Sequence, residues 1–179
     1  MVEDLLERWA GAPAVRSRHS RSSGVDAQTL WDAAAGVRLS DTRTLGRLIR
    51  WRIPDTSPSQ TFHELFSRYP FTVLEAGETH QLSGLCGRIW TLARDYPRLH
   101  GPEDFEAWDQ NNTVKVVFAH WTRPAEDGGA ELVSEARVVP LGRRAGLRLR
   151  GLWSVVSRFE RLVAAEPLTL ATRRAEAAR

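Results

Sequence analysis

The sequence predicts an α+β fold in which an antiparallel sheet is followed by one long amphipathic helix. Three extended segments, at about Leu82–Leu92, Val114–Trp121 and Glu131–Val139, have the period of two that is typical of half-buried strands. They lead directly into a helical pattern at about Arg143–Ala165. Because a sheet closed by a single helix can leave space between the two layers, this order favours a cavity of ligand size.

The first third of the chain carries signals for one strand and two helices. Val15–Ser22 alternates weakly and predicts a polar strand at the edge of the sheet. Asp26 is placed to cap a helix, because its carboxylate precedes residues with an apolar helical face. A second helix is predicted from about Asp41 or Thr42 and stops before Pro54. The expected fold therefore has two short helices after its first strand.

Beyond residue 70 the pattern changes to strands separated by turn residues. Ala76-Gly77 and Glu126-Asp-Gly-Gly are hairpin signals, and Gly87 separates two of the strands. Counted with the first strand, these segments predict a sheet of about six or seven antiparallel strands. The predicted strands in this part of the chain are Phe71–Glu75, Glu78–Cys86, Arg88–Ala93, Asn111–Arg123 and Ala130–Pro140.

The closing helix has the clearest pattern in the chain. Its apolar residues are spaced three and four apart, so they form one continuous stripe, and Pro167 marks its expected end. The chain then divides into an N-terminal extension over residues 1–12, one domain over residues 13–167 and a flexible tail over residues 168–179. The residues of the stripe are Ala145, Leu149, Leu152, Val156, Phe159 and Val163.

Composition narrows the class of protein. A chain of 179 residues fits one domain, and it has no run of the roughly 18 to 20 apolar residues that a transmembrane helix needs. Cys86 is the only cysteine, which excludes an internal disulfide and a cysteine-rich zinc site. The N-terminus opens with acidic residues, unlike a signal peptide, so a cytoplasmic location is expected. We find no phosphate-binding loop, metal-binding motif or nucleophile elbow, and therefore expect neither a metal nor a cofactor.

The order of elements and four stretches of sequence carry a resemblance to known proteins. The stretches are Asp26-Ala-Gln-Thr-Leu-Trp-Asp-Ala, Gly84-Leu-Cys-Gly-Arg-Ile-Trp, Phe105 in its acidic turn, and Ser134-Glu-Ala-Arg-Val. Over about residues 13–165 the chain resembles the START-like or SRPBCC superfamily, and in particular bacterial members without an assigned function. The resemblance implies the helix-grip fold, in which a curved antiparallel sheet wraps around the C-terminal helix and encloses an apolar cavity. Relatives use that cavity to carry lipids or hormones, or to cyclise and dehydrate polyketides.

Strand parity identifies the side chains that face the predicted cavity. In the strand Asn111–Arg123, Lys115 and Trp121 share one face, which we assign to the outside. His120 then points inward as a polar group in an apolar row. There it could orient a ligand or move a proton near neutral pH, so it is the candidate catalytic residue. The alternative is a histidine at the end of a strand, half solvated or bonded to a backbone carbonyl.

Parity leaves two further polar positions open. His80 joins His120 if its face of the strand points inward, whereas Glu78 on the same face indicates solvent. Glu135 and Arg137 share one face of their strand. In one interpretation they form an exposed charge pair opposite an inward apolar row. In the other they are buried beneath the closing helix as a polar anchor.

Tryptophans are numerous for a chain of this length, and several sit where they could line the cavity, Trp51 among them. Each of them is also a candidate for ordinary core packing. Combined with strand parity, the candidate ligand-binding residues are Trp31, Trp90, Val116, Phe118, His120, Leu132, Ser134, Trp153 and Val156.

Three hypotheses about function follow. The first is binding of a hydrophobic small molecule in the cavity, with aromatic and polyketide-like molecules as candidates. The second, which the resemblance suggests, is an enzyme of the polyketide cyclase or dehydratase type that uses the same cavity. The third is a protein or nucleic-acid interaction through the arginines of the last helix. Since no nucleic-acid-binding motif accompanies them, we do not expect nucleic acid as a partner, and we expect a monomer or a homodimer.

Overall fold

The structure is a computed structural model that describes residues 1–53, 55–91, 93, 96–126 and 128–178, without the side chains of residues 52 and 154–164. It has an α+β fold. The strands are β1 Val15–Ser23, β2 Thr72–Gly77, β3 His80–Gly87, β4 Thr113–Pro124 and β5 Ala130–Leu141. The helices are α1 Val2–Ala10, α2 Ala27–Ala35, a 3-10 helix Leu39–Asp41, α3 Leu45–Arg52, α4 Phe62–Phe66, α5 Pro102–Ala107 and α6 Arg143–Ala177.

The strands form one antiparallel sheet in the order β1-β5-β4-β3-β2. Within the described ranges the sheet has five strands, so the prediction of six or seven was wrong. The difference lies at Arg88–Ala93, which the sequence pattern predicts as a strand. β3 ends at Gly87, whose φ of +132° is a conformation that favours glycine. The chain then turns, because the backbone N–H and the hydroxyl of Thr91 both donate to the carbonyl of Arg88, at 3.2 and 2.9 Å.

Both predicted hairpins form. The β4–β5 hairpin closes where the sequence places it, with the N–H of Ala125 donating to the carbonyl of Gly129 at 2.9 Å. In the β2–β3 hairpin Gly77 pairs with His80, so the turn lies two residues after the predicted Ala76-Gly77. The cap of α2 is also confirmed, because the Asp26 carboxylate accepts from the N–H of Thr29 at 2.9 Å.

Helices α1 and α5 cover the outer face of the sheet. Leu6 of α1 is fully buried, and Trp9 meets the ring of Phe105 edge to face, with 6.0 Å between centroids. Gly84 of β3 lies directly under Phe105, where a Cβ atom would come within 2.5 Å of the ring. Glycine at this position therefore allows α5 to approach the sheet. The segment that the sequence presents as an extension packs against this face as α1.

Glu135 and Arg137 also lie on the outer face, beneath α1, so neither sequence interpretation placed the pair correctly. They are 1% and 2% exposed. The Nε of Arg137 donates to Oε1 of Glu135 at 2.7 Å, and its Nη1 donates to Oε1 of Glu7 at 2.6 Å. Arg16 reaches Glu135 as well, at 2.8 Å. These four residues form a charge cluster that fastens α1 to the sheet, while the apolar row of β5 faces inward, as the first of the two interpretations has it.

The inner face is covered by α2, α4 and α6. Helix α6 begins at Arg143, as predicted, but its predicted end was wrong, because it continues to Ala177 with Pro167 inside it. Leu168 and Ala171 are buried in the core that α6 shares with α2 and β5. A proline in a helix interior costs about 3 kcal/mol, and this packing offsets it. The residues predicted to form a flexible tail are therefore helical up to residue 177.

Candidate functional site

A cavity of about 490 Å³ lies between the inner face of the sheet and helices α2, α3, α4 and α6. Its floor consists of inward side chains from β1, β3, β4 and β5, and its walls come from the helices. Most of the lining side chains are apolar. The volume falls within the roughly 300–1,000 Å³ that is usual for small-molecule sites.

Seven of the nine predicted ligand-binding residues line this cavity, and Trp90 does not. Trp90 packs against the core instead, and the guanidinium carbon of Arg148 lies 5.8 Å from its ring centroid. The side chain of Val156 lies outside the described residues. Trp51 is 57% exposed rather than turned inward. The seven lining residues are Trp31, Val116, Phe118, His120, Leu132, Ser134 and Trp153.

One polar row crosses the apolar floor of the cavity. His19 of β1 is in register with Ser134 of β5, Ser134 with His120 of β4, and His120 with Gln81 of β3. Residues that are directly opposite in neighbouring strands project from the same face, so these side chains form a line across the sheet. All four line the cavity. An apolar ligand with one polar group therefore has a line of hydrogen-bonding positions within reach.

His120 differs from Gln81 and His19 in this row because its Nε2 is buried and has no hydrogen-bond partner. Gln81 donates to the hydroxyl of Ser67 at 2.8 Å, and Nε2 of His19 lies 3.2 Å from the hydroxyl of Ser17. In the described part of the chain, five side chains have a buried polar atom without a partner, and only His120 among them lines the cavity. Such an atom costs about 1–3 kcal/mol. A ligand that pairs with it would recover that free energy.

The imidazole of His120 lies among aromatic rings. Its centroid is 4.6 Å from that of Phe66, which in turn lies 5.2 Å from Phe118 and 4.9 Å from Phe71. Burial lowers the pKa of His120 to about 4, and the nearby imidazole of His63 adds a smaller effect in the same direction. The ring is therefore neutral at pH 7, where its Nε2 donates or accepts according to the tautomer.

Acidification is expected to destabilise the protein through His120. Its folded pKa of about 4 lies below the ordinary 6.5, so the unfolded chain binds the proton more tightly. The contribution of the neutral His120 to the free energy of unfolding is fully present above pH 6.5 and is lost as the pH falls towards 4. By pH 5 the loss is about 2 kcal/mol. Denaturant unfolding at pH 7 and pH 5 measures it. His120→Phe should remove most of this loss, and an equal loss in both proteins would contradict the assignment.

His80 and Cys86 point away from the cavity. They share the outward face of β3 with Leu82, which is fully buried in the outer core. The idea that His80 joins His120 was therefore wrong, and the neighbouring Glu78 had indicated the correct side. Burial raises the pKa of the Cys86 thiol to about 12, so it stays protonated and unreactive at neutral pH.

Sequence reasoning missed His19 and Gln81 as lining residues. Both could have been found with the alternation of side chains that placed His120. His19 is four positions from Val15 and Gln81 is four positions from Leu85, so each pair lies on one face of its strand. No such signal identified the lining phenylalanines that lie outside the strands, such as Phe66 and Phe71. Their position depends on how the helices pack over the sheet, which no local pattern specifies.

The cavity meets the surface of the protein at α3 and at α4. Leu48 of α3 lines the cavity and is nevertheless 43% exposed, and His63 of α4 lines it and is exposed as well. Helix α3 is tied to the closing helix by Glu166, whose carboxylate accepts backbone N–H groups of Arg43, Thr44 and Leu45 at 2.5, 3.3 and 3.3 Å. We call the opening beside Leu48 the mouth of the cavity.

The described residues do not include three or more His, Cys, Asp or Glu side chains grouped so that they could hold a metal ion. Within the same residues no helix has the length and apolar character that crossing a bilayer requires. In the arginine-rich last helix, Arg174 is paired with Asp41 at 2.9 Å. The side chains of Arg158 and Arg161 lie outside the described residues.

Comparison with known proteins assigns no family to this chain. No protein-family model matches it, and no curated protein matches it. The function has to be inferred from the geometry of the cavity itself.

Proposed function

We propose that this protein binds a hydrophobic small molecule in the cavity between its sheet and α6. The observation that carries the proposal is an apolar cavity of about 490 Å³ that is lined by His120, whose buried Nε2 has no hydrogen-bond partner. Apolar burial would supply most of the affinity, at about 25 cal/mol per Å². The polar row would fix the orientation of the ligand.

We also propose that the fold is of the helix-grip type. The sheet places β1 beside β5, and α6 packs across both of these strands on the inner face. Two helices follow β1 and close one side of the cavity. The five strands are fewer than the resemblance to START-like proteins implies, but the order of elements agrees with it.

The preferred ligand is flat and aromatic, with one group able to form a hydrogen bond. Four rings, those of Phe66, Phe71, Phe118 and His120, are grouped at one part of the cavity with centroid separations of 4.6 to 5.6 Å. Faces and edges of aromatic side chains suit offset or edge-on contact with a flat molecule. The neutral imidazole can serve a hydroxyl or a carbonyl equally, because its tautomer adapts.

A matched pair of ligands tests the proposal. Pyrenemethanol and ethylpyrene have nearly the same size and shape, but only the first carries a hydroxyl group. We expect both to bind and His120→Phe to weaken pyrenemethanol about three- to tenfold, the value of one buried hydrogen bond, without weakening ethylpyrene. Fluorescence titration of wild type and variant measures both affinities.

The outcomes separate the parts of the proposal. If neither compound binds, the cavity is not a site for flat apolar ligands. If both compounds bind and His120→Phe affects their affinities equally, the cavity is a binding site but His120 does not orient the ligand. Gln81→Leu provides a control, because Gln81 lies in the same row with its amide already bonded to Ser67. Its replacement should change the pyrenemethanol affinity less than His120→Phe does.

We propose binding rather than turnover. A general base works best when its pKa lies near the working pH, and the pKa of His120 at about 4 is well below neutrality. The cyclase or dehydratase alternative would therefore need a ligand that itself raises this pKa. A polyketide-like ligand consumed by the wild type and not by His120→Phe would establish that alternative.

A further inference from the structure

Helix α3 exposes apolar side chains at the mouth of the cavity. In the described part of the chain only a few large apolar side chains are exposed, and two of them, Leu48 and Trp51, are three positions apart on α3. Residues at this spacing lie on one side of a helix. They are 43% and 57% exposed. The protein therefore presents a small apolar surface where its cavity opens.

The same helix is basic. Its sequence, Leu45-Gly-Arg-Leu-Ile-Arg-Trp-Arg, contains no acidic residue, and Arg43 precedes it. The side chains of Arg43, Arg47 and Arg50 are exposed. Two acidic groups beside it are already engaged, Asp41 with Arg174 and Glu166 with backbone N–H groups of residues 43–45. Asp55, three residues after α3, carries a single negative charge, so the arginines leave an excess of positive charge for a partner.

A short helix with exposed leucine and tryptophan, flanked by arginines, has the composition of segments that lie in a membrane interface. Tryptophan favours the headgroup level, and arginines are attracted to anionic lipids. A nucleic acid would use the arginines but would not require the leucine. An acidic protein would leave the nearness of the cavity mouth unexplained. The combination favours lipid.

We infer that α3 docks on an anionic lipid bilayer, with the mouth of the cavity facing the lipid. The docking surface consists of Arg43, Arg47, Leu48, Arg50 and Trp51. This contact would let an apolar ligand move between bilayer and cavity without crossing water, a consequence that rests on the proposed function. Because the surface is small, binding should be reversible and should weaken with salt.

Vesicle co-sedimentation of the full chain tests the inference. The wild type should bind vesicles made of equal parts phosphatidylglycerol and phosphatidylcholine, and bind vesicles of phosphatidylcholine alone much more weakly. Trp51→Ala should weaken binding to the anionic vesicles about tenfold, because the inserted ring is lost. Arg47→Glu should weaken it at least fivefold.

The matched control is Arg8→Glu. Arg8 is exposed on α1, which covers the opposite face of the sheet, and the substitution changes the charge by the same amount as Arg47→Glu. It should leave vesicle binding within about twofold of wild type. An equal loss in Arg8→Glu and Arg47→Glu would mean that overall charge, not α3, governs the interaction.

Other outcomes also decide the question. Equal binding to neutral and anionic vesicles, or none to either, would overturn the inference. The inference would also be overturned if Trp51→Ala bound anionic vesicles as well as wild type does and duplex DNA competed with the vesicles. That result would identify a site for polyanions. Pyrenemethanol binding without vesicles is measured on the same variants, because Trp51 and Arg47 do not line the cavity. Vesicle binding without pyrenemethanol binding would contradict only the proposed function. Pyrenemethanol binding without vesicle binding would contradict only this inference.

Discussion

Replacing Glu135 with leucine is expected to lower the free energy of unfolding by about 3–5 kcal/mol at pH 7. The carboxylate is fully buried and accepts from Arg137 at 2.7 Å. Without it, the guanidinium of Arg137, itself 2% exposed, keeps the mostly exposed Glu7 and a backbone carbonyl as its partners among the described residues. Because an arginine stays protonated in a protein, its positive charge remains buried and the free-energy cost of that burial remains. Denaturant unfolding measures the change.

The chain offers a matched control on the same strand and the same face. Glu131 forms an ion pair with Arg123 at 2.6 Å, close to the separation of the buried pair, but the side chains of Glu131 and Arg123 are 19% and 48% exposed. Glu131→Leu should cost less than about 1 kcal/mol, because an ion pair in contact with water contributes little, and Arg123 is solvated once its partner is gone. The double variant Glu135→Leu/Arg137→Leu should recover most of the loss, because both charges are gone. If Glu135→Leu cost no more than Glu131→Leu, the charge cluster would have no role in holding α1.

The inner face of the sheet could be predicted because it depends on geometry that every strand obeys. Side chains alternate between faces, so one decision about the strand Asn111–Arg123 placed Phe118 and His120 together. The same rule placed Leu132 and Ser134 correctly. The hairpin signal between the two strands, which is a local feature of the sequence, predicted that they are neighbours in the sheet.

What covers each face could not be predicted in the same way. Parity put Glu135 and Arg137 on one face of β5, but nothing in β5 says whether α1 or α6 lies against that face. The answer depends on Glu7, more than a hundred positions earlier in the chain, reaching Arg137. Contacts of this separation are decided by the whole fold, and a single sequence carries no direct sign of them.

Element boundaries failed where tertiary packing opposes local preference. Pro167 is a strong local signal for the end of a helix, yet the packing of Leu168 and Ala171 extends α6 beyond it. At Arg88–Ala93 the reverse occurs. The residues there suit a strand, but the turn after Gly87 satisfies backbone groups locally and takes residues 88–91 out of the sheet.

Filling the cavity should abolish ligand binding without unfolding the protein. Ala136 lies on the inner face of β5 between Ser17 and Phe118, and it lines the cavity. A phenylalanine there would occupy apolar contact area on the order of 150 Å². At about 25 cal/mol per Å² this is about 4 kcal/mol, close to three orders of magnitude in the affinity for pyrenemethanol.

The stability of Ala136→Phe should stay the same or rise, because the new ring fills empty apolar space and suits a strand. Ala107→Phe adds the same ring at an exposed position of α5, on the opposite face of the sheet, and should leave the affinity unchanged. Titration of both folded variants with pyrenemethanol therefore separates loss of space from a general effect of added hydrophobicity. Full binding by folded Ala136→Phe would place the ligand elsewhere on the protein, since wild type and variant would then differ only in a volume that the ligand does not use.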